Sequence, residues 1–263
     1  MIVGALVWDT TARVRLAEAV RGWGHLHVCD RPSELLALAE NGLVEVAVVD
    51  LRDPWGESTL QTVRRLTADF PSVPVMLYWV MSPMASRDML EFAKAGVSDL
   101  VLRELDDVHG RLEGSLRDAV SRRSALAVYD ELAELVPQNV AVMIRFCLEN
   151  GRRALTVEEV AAGLNVHRKT LVDRLSAAGL PTPSTVIAWC RLLISAQMLE
   201  DPGRTVEQVA LMLDFPSGTS MRNMVKRYTG LRTGEVRENG GLRCILHAFK
   251  RELQGAGARQ EAS

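Results

Sequence analysis

The strongest constraint on this chain is a pattern that it writes twice. Thr156-Val-Glu-Glu-Val-Ala and Thr205-Val-Glu-Gln-Val-Ala lie some fifty residues apart. A Thr followed three residues later by Glu or Gln is a capping box, in which each side chain takes up the other residue's free backbone N–H at a helix start. Each box opens a helix with a matching apolar face: Val160, Ala161 and Leu164 in the first copy, Val209, Ala210 and Leu213 in the second. Asn165 falls in the first turn, where a left-handed backbone is tolerated. A second helix follows each turn. The first buries Leu171, Val172 and Leu175 and turns Arg168, Lys169, Thr170, Asp173 and Arg174 outward. The second is capped by Ser217, buries Met221, Met224, Val225 and Tyr228, and turns Thr219, Arg222, Asn223, Lys226 and Arg227 outward. One apolar helix, Val186 to Leu199, joins the copies.

Helix–turn–helix patterns are common in plain helical bundles, so one copy says little. Two copies with matched caps and cations on both second helices are far more specific. Donors near the start of such a helix reach base edges, and flanking cations meet phosphates. The charge distribution agrees. Residues 1–137 hold 14 Lys and Arg against 21 Asp and Glu, and residues 138–263 hold 17 against 12. The second stretch is basic, which favours a polyanionic partner.

Before residue 106 the pattern is different. Apolar runs at Ile2–Trp8, Leu26–Cys29, Val44–Val49, Val73–Val80 and Leu100–Leu102 alternate with helical stretches at Arg13–Trp23, Leu35–Ala39, Leu60–Phe70 and Asp88–Ala95. In the first stretch Val14, Leu16, Ala17, Ala19 and Val20 form the apolar side, and Ser33 is placed to cap the second. Strands alternating with helices predict a parallel sheet with crossover helices, a doubly wound α/β domain. Residues 106–135 read as one long helix in which Leu105, Leu112, Ala119, Leu126 and Ala133 recur every seven residues. The companion row Val108, Ser115, Arg122, Tyr129 and Val136 is broken, so a dimerising coiled coil and a helix packed on its own domain both remain open. The expected organisation is an α/β domain over 1–105, a linking or dimerisation helix over 106–137, an all-α domain with two helix-turn-helix units over 138–253, and a flexible tail over 254–263.

The segment from about 140 to 238 resembles the AraC/XylS family domain, in which two helix-turn-helix subdomains flank a central helix. The second copy carries most of the match: Val206–Ala210, Asp214-Phe215-Pro-Ser, Met221-Arg-Asn-Met-Val-Lys-Arg-Tyr-Thr-Gly and Glu235-Val-Arg237. The chain departs from the family at Asp214, where Gly is usual, at Ser220 and Met221, where an aromatic is frequent, and at Asn223, where Arg is. The resemblance implies that each second helix enters a major groove on one face of DNA. The DNA-contacting positions become Arg168, Lys169, Thr170, Arg174, Ser217, Thr219, Arg222, Asn223, Lys226 and Arg227, with Arg222 a base reader and Lys226 and Arg227 phosphate clamps.

The front half is similar to a response-regulator receiver domain, with a flavodoxin-like fold. Asp50 ends the third strand, Pro54 follows it, and Ala95-Gly96-Val97 fits the turn before the last strand. Phosphoryl transfer to an aspartate also needs an acidic pair for magnesium, a hydroxyl, and a lysine. The acidic pair maps onto Trp8-Asp9, the hydroxyl onto Tyr78 or Trp79, and the lysine onto Arg103. One carboxylate is missing, and Arg103 is placed to hold Asp50 in an ion pair. The reading is a pseudo-receiver that serves dimerisation or signal sensing, with Asp50 a possible phosphoacceptor.

Other chemistry has little behind it. His25 and His27 share one side of a strand without a Cys or carboxylate partner nearby. Cys29, Cys147, Cys190 and Cys244 form no metal or disulfide motif, and no enzyme motif or cofactor site stands out. The longest near-apolar run, Val73–Met81, is too short to span a bilayer, and no signal-like segment opens the chain, so a cytoplasmic protein without a membrane partner is expected. The reading is a transcription regulator that binds double-stranded DNA at promoter sites, as a homodimer, with RNA polymerase a further partner. The alternatives are a phosphorylation-controlled response regulator and a protein-binding adaptor with vestigial DNA binding.

Overall fold

The computed structural model describes residues 2–80, 85–108 and 110–260, leaving out the side chains of 85–87, 120–127 and 256–260. The chain forms two compact units, Met1–Arg123 with Asp201–Arg204, and Ser124–Glu200 with Thr205–Ser263.

The first unit is a five-stranded parallel sheet. Its strands are β1 (Ile2–Leu6), β2 (His25–Val28), β3 (Val46–Val49), β4 (Val75–Trp79) and β5 (Asp99–Leu102), in the order β2-β1-β3-β4-β5. Every pairing is parallel, with Val3 beside Val46 and Ala47 beside Val75. Both faces are covered, so β1, β3 and β4 read as continuous apolar runs rather than alternating ones. Successive side chains still point to opposite faces. Val46 and Val48 pack with α1 (Thr10–Val20) and the start of α5 (Arg111–Ala133), through Leu16, Val20, Leu112 and Leu116. Ala47 and Val49 pack on the other side with α2 (Pro32–Glu40), α3 (Leu60–Asp69) and α4 (Ala85–Lys94), through Leu35, Val63, Leu66 and Phe92. This is the doubly wound fold expected from the sequence. Its strand order reverses between β1 and β3, the place where such sheets bind ligands at the carboxyl ends of their strands. Asp9 and Asp50 follow those two strands.

Local details differ from the sequence reading. In α1 the buried residues are Ala12, Leu16 and Val20, while Val14 is exposed. The helix begins earlier than Arg13 because the Asp9 carboxylate accepts from the Ala12 N–H at 2.8 Å and caps it. Ser33 is not the cap of α2: Arg31 holds that position without a side-chain bond, and Pro32 supplies the first turn. The helix expected over 106–135 begins only at Arg111. Glu104 and Gly110 have left-handed backbones, and the Asp107 carboxylate is drawn into the unit's interior, so a turn replaces the first part of the helix. Leu112 and Ala119 of the seven-residue row are buried in the unit's own core and Leu105 is exposed. Leu126 lies outside the described side chains. Leu112 and Ala119 are taken up by the chain's own core and are not free to form a coiled-coil seam.

The second unit is all helical: the end of α5, α6 (Gln138–Asn150), α7 (Val157–Gly163), α8 (Arg168–Ala177), α9 (Pro183–Glu200), α10 (Val206–Met212), α11 (Gly218–Thr229), α12 (Thr233–Glu238) and α13 (Leu242–Gln260). α9 is the spine and is buried nearly all round, from Val186 through Leu199. Around it pack Val140 and Ile144 of α6, Val160 and Leu171 of the first hairpin, Val209 and Met221 of the second, and Ile245 and Phe249 of α13. Trp189 stacks on Phe249 and meets Tyr228 edge to face, both at 5.3 Å between ring centres. α13 continues through Gln260 rather than ending near Leu253, and 261–263 lie outside the described residues. Among the described residues no helix is long and apolar enough to cross a membrane.

Candidate nucleic-acid interface

Both hairpins are built by the same local rules. Each capping box is closed as its sequence requires. The Thr156 and Thr205 hydroxyls accept from the N–H of Glu159 and Gln208 at 3.2 Å, and the Glu159 and Gln208 side chains accept the cap N–H at 2.8 Å. Each leading helix stops in a left-handed residue, Asn165 at φ 53° and Asp214 at φ 56°. The bonds Val166 N–H to Ala161 C=O and Phe215 N–H to Ala210 C=O, at 2.9 and 2.8 Å, complete a Schellman ending in both copies. Asp214, which replaces the usual Gly, is therefore at a left-handed position that Asp tolerates among non-glycine residues. The sequence offers no sign of a further support at the second turn. Arg191 of α9 lies 3.7 Å from the Phe215 ring centre and donates to the carbonyls of Leu213 and Asp214.

α11 is capped by Ser217, whose Oγ accepts from the Ser220 N–H at 3.1 Å, and it ends at Gly230 with φ 76°. Met221 and Val225 are buried. Ser217, Thr219, Arg222, Asn223, Lys226 and Arg227 are all exposed, as the sequence placed them. α8 begins after His167, which makes no side-chain cap. Arg168 and Lys169 are exposed, and Thr170 and Arg174 are half-buried. Val172 was expected in the core but is 43% exposed, and only Leu171 and Leu175 go in. Setting the two caps in register pairs Val172 with Arg222, Arg174 with Met224, Ser176 with Lys226 and Ala177 with Arg227. The two helices thus expose different chemistry from the same frame. The leading helices also reach their followers: Arg168 pairs with Glu158 at 3.3 Å and Arg222 with Glu207 at 2.6 Å.

The corner around Asp50 in the first unit is closed by side chains. Arg103 donates to Asp50 Oδ1 at 2.5 Å and lies 3.9 Å from Asp9, and the Trp8 N–H donates to Asp50 Oδ2 at 3.2 Å. Asp50 and Arg103 are 13% and 16% exposed. Burial pushes the Asp50 carboxyl above its ordinary range, against the opposing pull of Arg103 and the Trp8 N–H. These residues do not fit a divalent cation. A guanidinium already sits on one Asp50 oxygen, and Asp9 caps α1 with one oxygen while its other faces the same Arg103 at 3.9 Å. At the hydroxyl position Tyr78 is buried and donates to Asp107 at 2.6 Å, where Arg15 also donates at 2.5 Å. Burial opposes charge on Asp107, but these two bonds and the Glu104 N–H hold its carboxyl below the ordinary range. Trp8 and Trp79 pack against the sheet's apolar core, and the Trp8 indole donates to the Asp30 carbonyl at 3.4 Å. His25 and His27 take the exposed positions of β2. Among the described residues no group of three metal-ligating side chains is assembled. Cys29, Cys147 and Cys190 are buried.

Residues 160–239 match the family model described as a helix-turn-helix domain. The second unit carries an AraC-type helix-turn-helix domain. With it the chain is a DNA-binding regulator of transcription. The matched span begins inside α7 and ends after α12, so it takes in the first hairpin from Val160 on, the spine and the whole second hairpin. No curated protein matches the chain. Among solved structures, the chain is similar to a signal receiver domain of an HD domain-containing protein from Pseudomonas fluorescens Pf-5, at 16% identity, with 48% of this chain and 90% of that one covered and a TM-score of 0.42. It is also similar to a CheY-like response regulator receiver domain protein from Methanospirillum hungatei JF-1, at 13% identity, 46% and 94% coverage and a TM-score of 0.39. The strand order β2-β1-β3-β4-β5 by itself gives the first unit its flavodoxin-like topology.

Proposed function

We propose that the AraC-type domain binds promoter DNA sequence-specifically through α8 and α11, and that the receiver-shaped unit serves dimerisation or signal sensing without phosphorylation. The observation that carries the first part is the pair of hairpins with matching capping boxes and left-handed turns, each exposing cations on its second helix. Arg168, Lys169 and Thr170 serve the first groove. Arg174, half-buried like Thr170, belongs to the same contact. Ser217, Thr219, Arg222 and Asn223 serve the second groove, with Lys226 and Arg227 on its phosphates. The Asp50 corner supports the second part, because both carboxylate oxygens are already engaged, Oδ1 by Arg103 and Oδ2 by the Trp8 N–H. A homodimer on paired sites belongs to the proposal, as does a contact with RNA polymerase.

Capture of genomic fragments by the full-length protein tests the DNA part. Enrichment of one recurrent site, with affinity falling steeply as salt rises, is the expected result. Capture without sequence preference at any salt would leave the adaptor reading standing. Incubation with acetyl phosphate and magnesium, followed by intact mass, tests the front unit. No adduct is expected, and a phosphoryl-sized adduct lost in Asp50→Ala would establish phosphorylation control instead.

A further inference from the structure

The two hairpins share one feature that neither their caps nor their cores require. In each, the second residue of the leading helix is a glutamate that holds an arginine of the following helix: Glu158 with Arg168 and Glu207 with Arg222. The second pair is the tighter and the more closely built. Glu207 is not the capping partner, since Gln208 fills that role. A glutamate in a first turn suits the helix dipole, but the dipole requires no arginine beside it. Ion pairs between exposed groups add little to stability, and both side chains here are exposed, at 44% and 64%. The pair nevertheless has a niche. It lies over Gly218, the first residue of α11, where a Cβ would stand 2.9 Å from the Glu207 carboxylate and 3.3 Å from the Arg222 guanidinium. The Arg222 hydrogen bond holds the Glu207 carboxyl below its ordinary range.

We propose that Glu207 is a specificity-determining residue, which rests on the DNA-binding reading above. A phosphate that approaches Arg222 meets a guanidinium already neutralised by a carboxylate, and it brings a second anion to one cation. Guanine offers two uncharged acceptors, O6 and N7, to an arginine fork. A guanidinium has five donors. With one nitrogen held by Glu207, it retains enough for the base, and its rotation is fixed. Glu207 therefore penalises the phosphate contact more than the base contact. It lowers affinity for random DNA and widens the ratio of specific to non-specific binding.

The test is a salt titration of full-length wild type and Glu207→Gln on the captured site and on random duplex. The amide keeps the side chain's size and acceptor but drops the charge. Random-DNA affinity should rise several-fold, and its dependence on log salt should steepen by about one. Affinity for the site should change less, so the specificity ratio falls. Adding Arg222→Ala should abolish the gain, while Glu207→Asp should behave as wild type. Gly218→Ala, which fills the niche, should move binding the same way as Glu207→Gln and guards against a fold defect peculiar to that variant. Unchanged or weaker random-DNA binding, with an unchanged salt dependence in both Glu207→Gln and Gly218→Ala, overturns the inference. Failure of the wild type to bind any DNA would instead end the reading on which it rests.

Discussion

The two helix-turn-helix units have one scaffold and two faces. Thr156 and Thr205 open them with the same bonds, Asn165 and Asp214 close them with the same left-handed ending, and Leu171 and Met221 bury the same position. The exposed faces diverge. Where α11 shows Arg222, Lys226 and Arg227, α8 shows Val172, Ser176 and Ala177. Local rules of capping and turn closure restrict the scaffold tightly, because an unsatisfied N–H or a strained turn costs stability wherever it occurs. The outward positions carry no such cost and are free to serve different ends. α8 carries its exposed cations at its start, Arg168 and Lys169, and α11 carries Arg222, Lys226 and Arg227 further along, so the two helices are expected to make differently composed contacts.

The largest expected effect tests the shared scaffold. Leu171→Ala and Met221→Ala should each destabilise by about 2–5 kcal/mol, the usual range for emptying a buried aliphatic site. Similar losses in chemical denaturation are expected, and a several-fold disparity would mean that the two frames are not equivalent. Arg222→Ala should weaken specific binding by about 1–3 kcal/mol and relax preference at one base, whereas Val172→Ala at the matching position should do neither. Gel-shift titration on a site library reads both.

Next in size are the phosphate contacts. Lys226→Ala and Arg227→Ala should each flatten the dependence of log affinity on log salt by about one, while Ser176→Ala leaves it alone. The smallest effect separates the caps by pH. The Thr156 N–H, its hydroxyl and Arg153 hold the Glu159 carboxyl below its ordinary value. Its stabilisation of the first cap is therefore present above about pH 4 and lost as pH falls further. Gln208 does not titrate. Amide exchange at the start of α7 should accelerate in acid relative to α10, and Glu159→Gln should erase the difference. Equal acid responses in the wild type would sink this account.

Much of the domain plan was legible from residue types at short spacing. The capping boxes, Asn165 at its turn and the outward cations of α11 follow from patterns a few residues long. Positions set by distant partners were not. Val172 reads as core by helical spacing, yet the spine reaches only Leu171 and Leu175. Arg191 looks like an ordinary polar break in an apolar helix, and its support of the second turn depends on a fold that brings residues 213 and 214 to it. The start of α5 moved because Tyr78 and Arg15, far away in the chain, draw in Asp107.

By itself the sequence determined the two repeats, their caps and turns, and the alternation that makes a parallel sheet, because each depends on neighbours along the chain. It also named the residues of the Asp50 corner. Through the receiver resemblance it placed Arg103 against Asp50 as well; the tertiary structure realised that pair and added the Trp8 N–H. Arg103 follows β5 and Asp50 follows β3, and the sheet brings their side chains to 2.5 Å. The same holds for Glu207 and Arg222, which meet because one hairpin folds across Gly218. Ion pairs of this kind depend on approach in space, and residue spacing along the chain does not encode it.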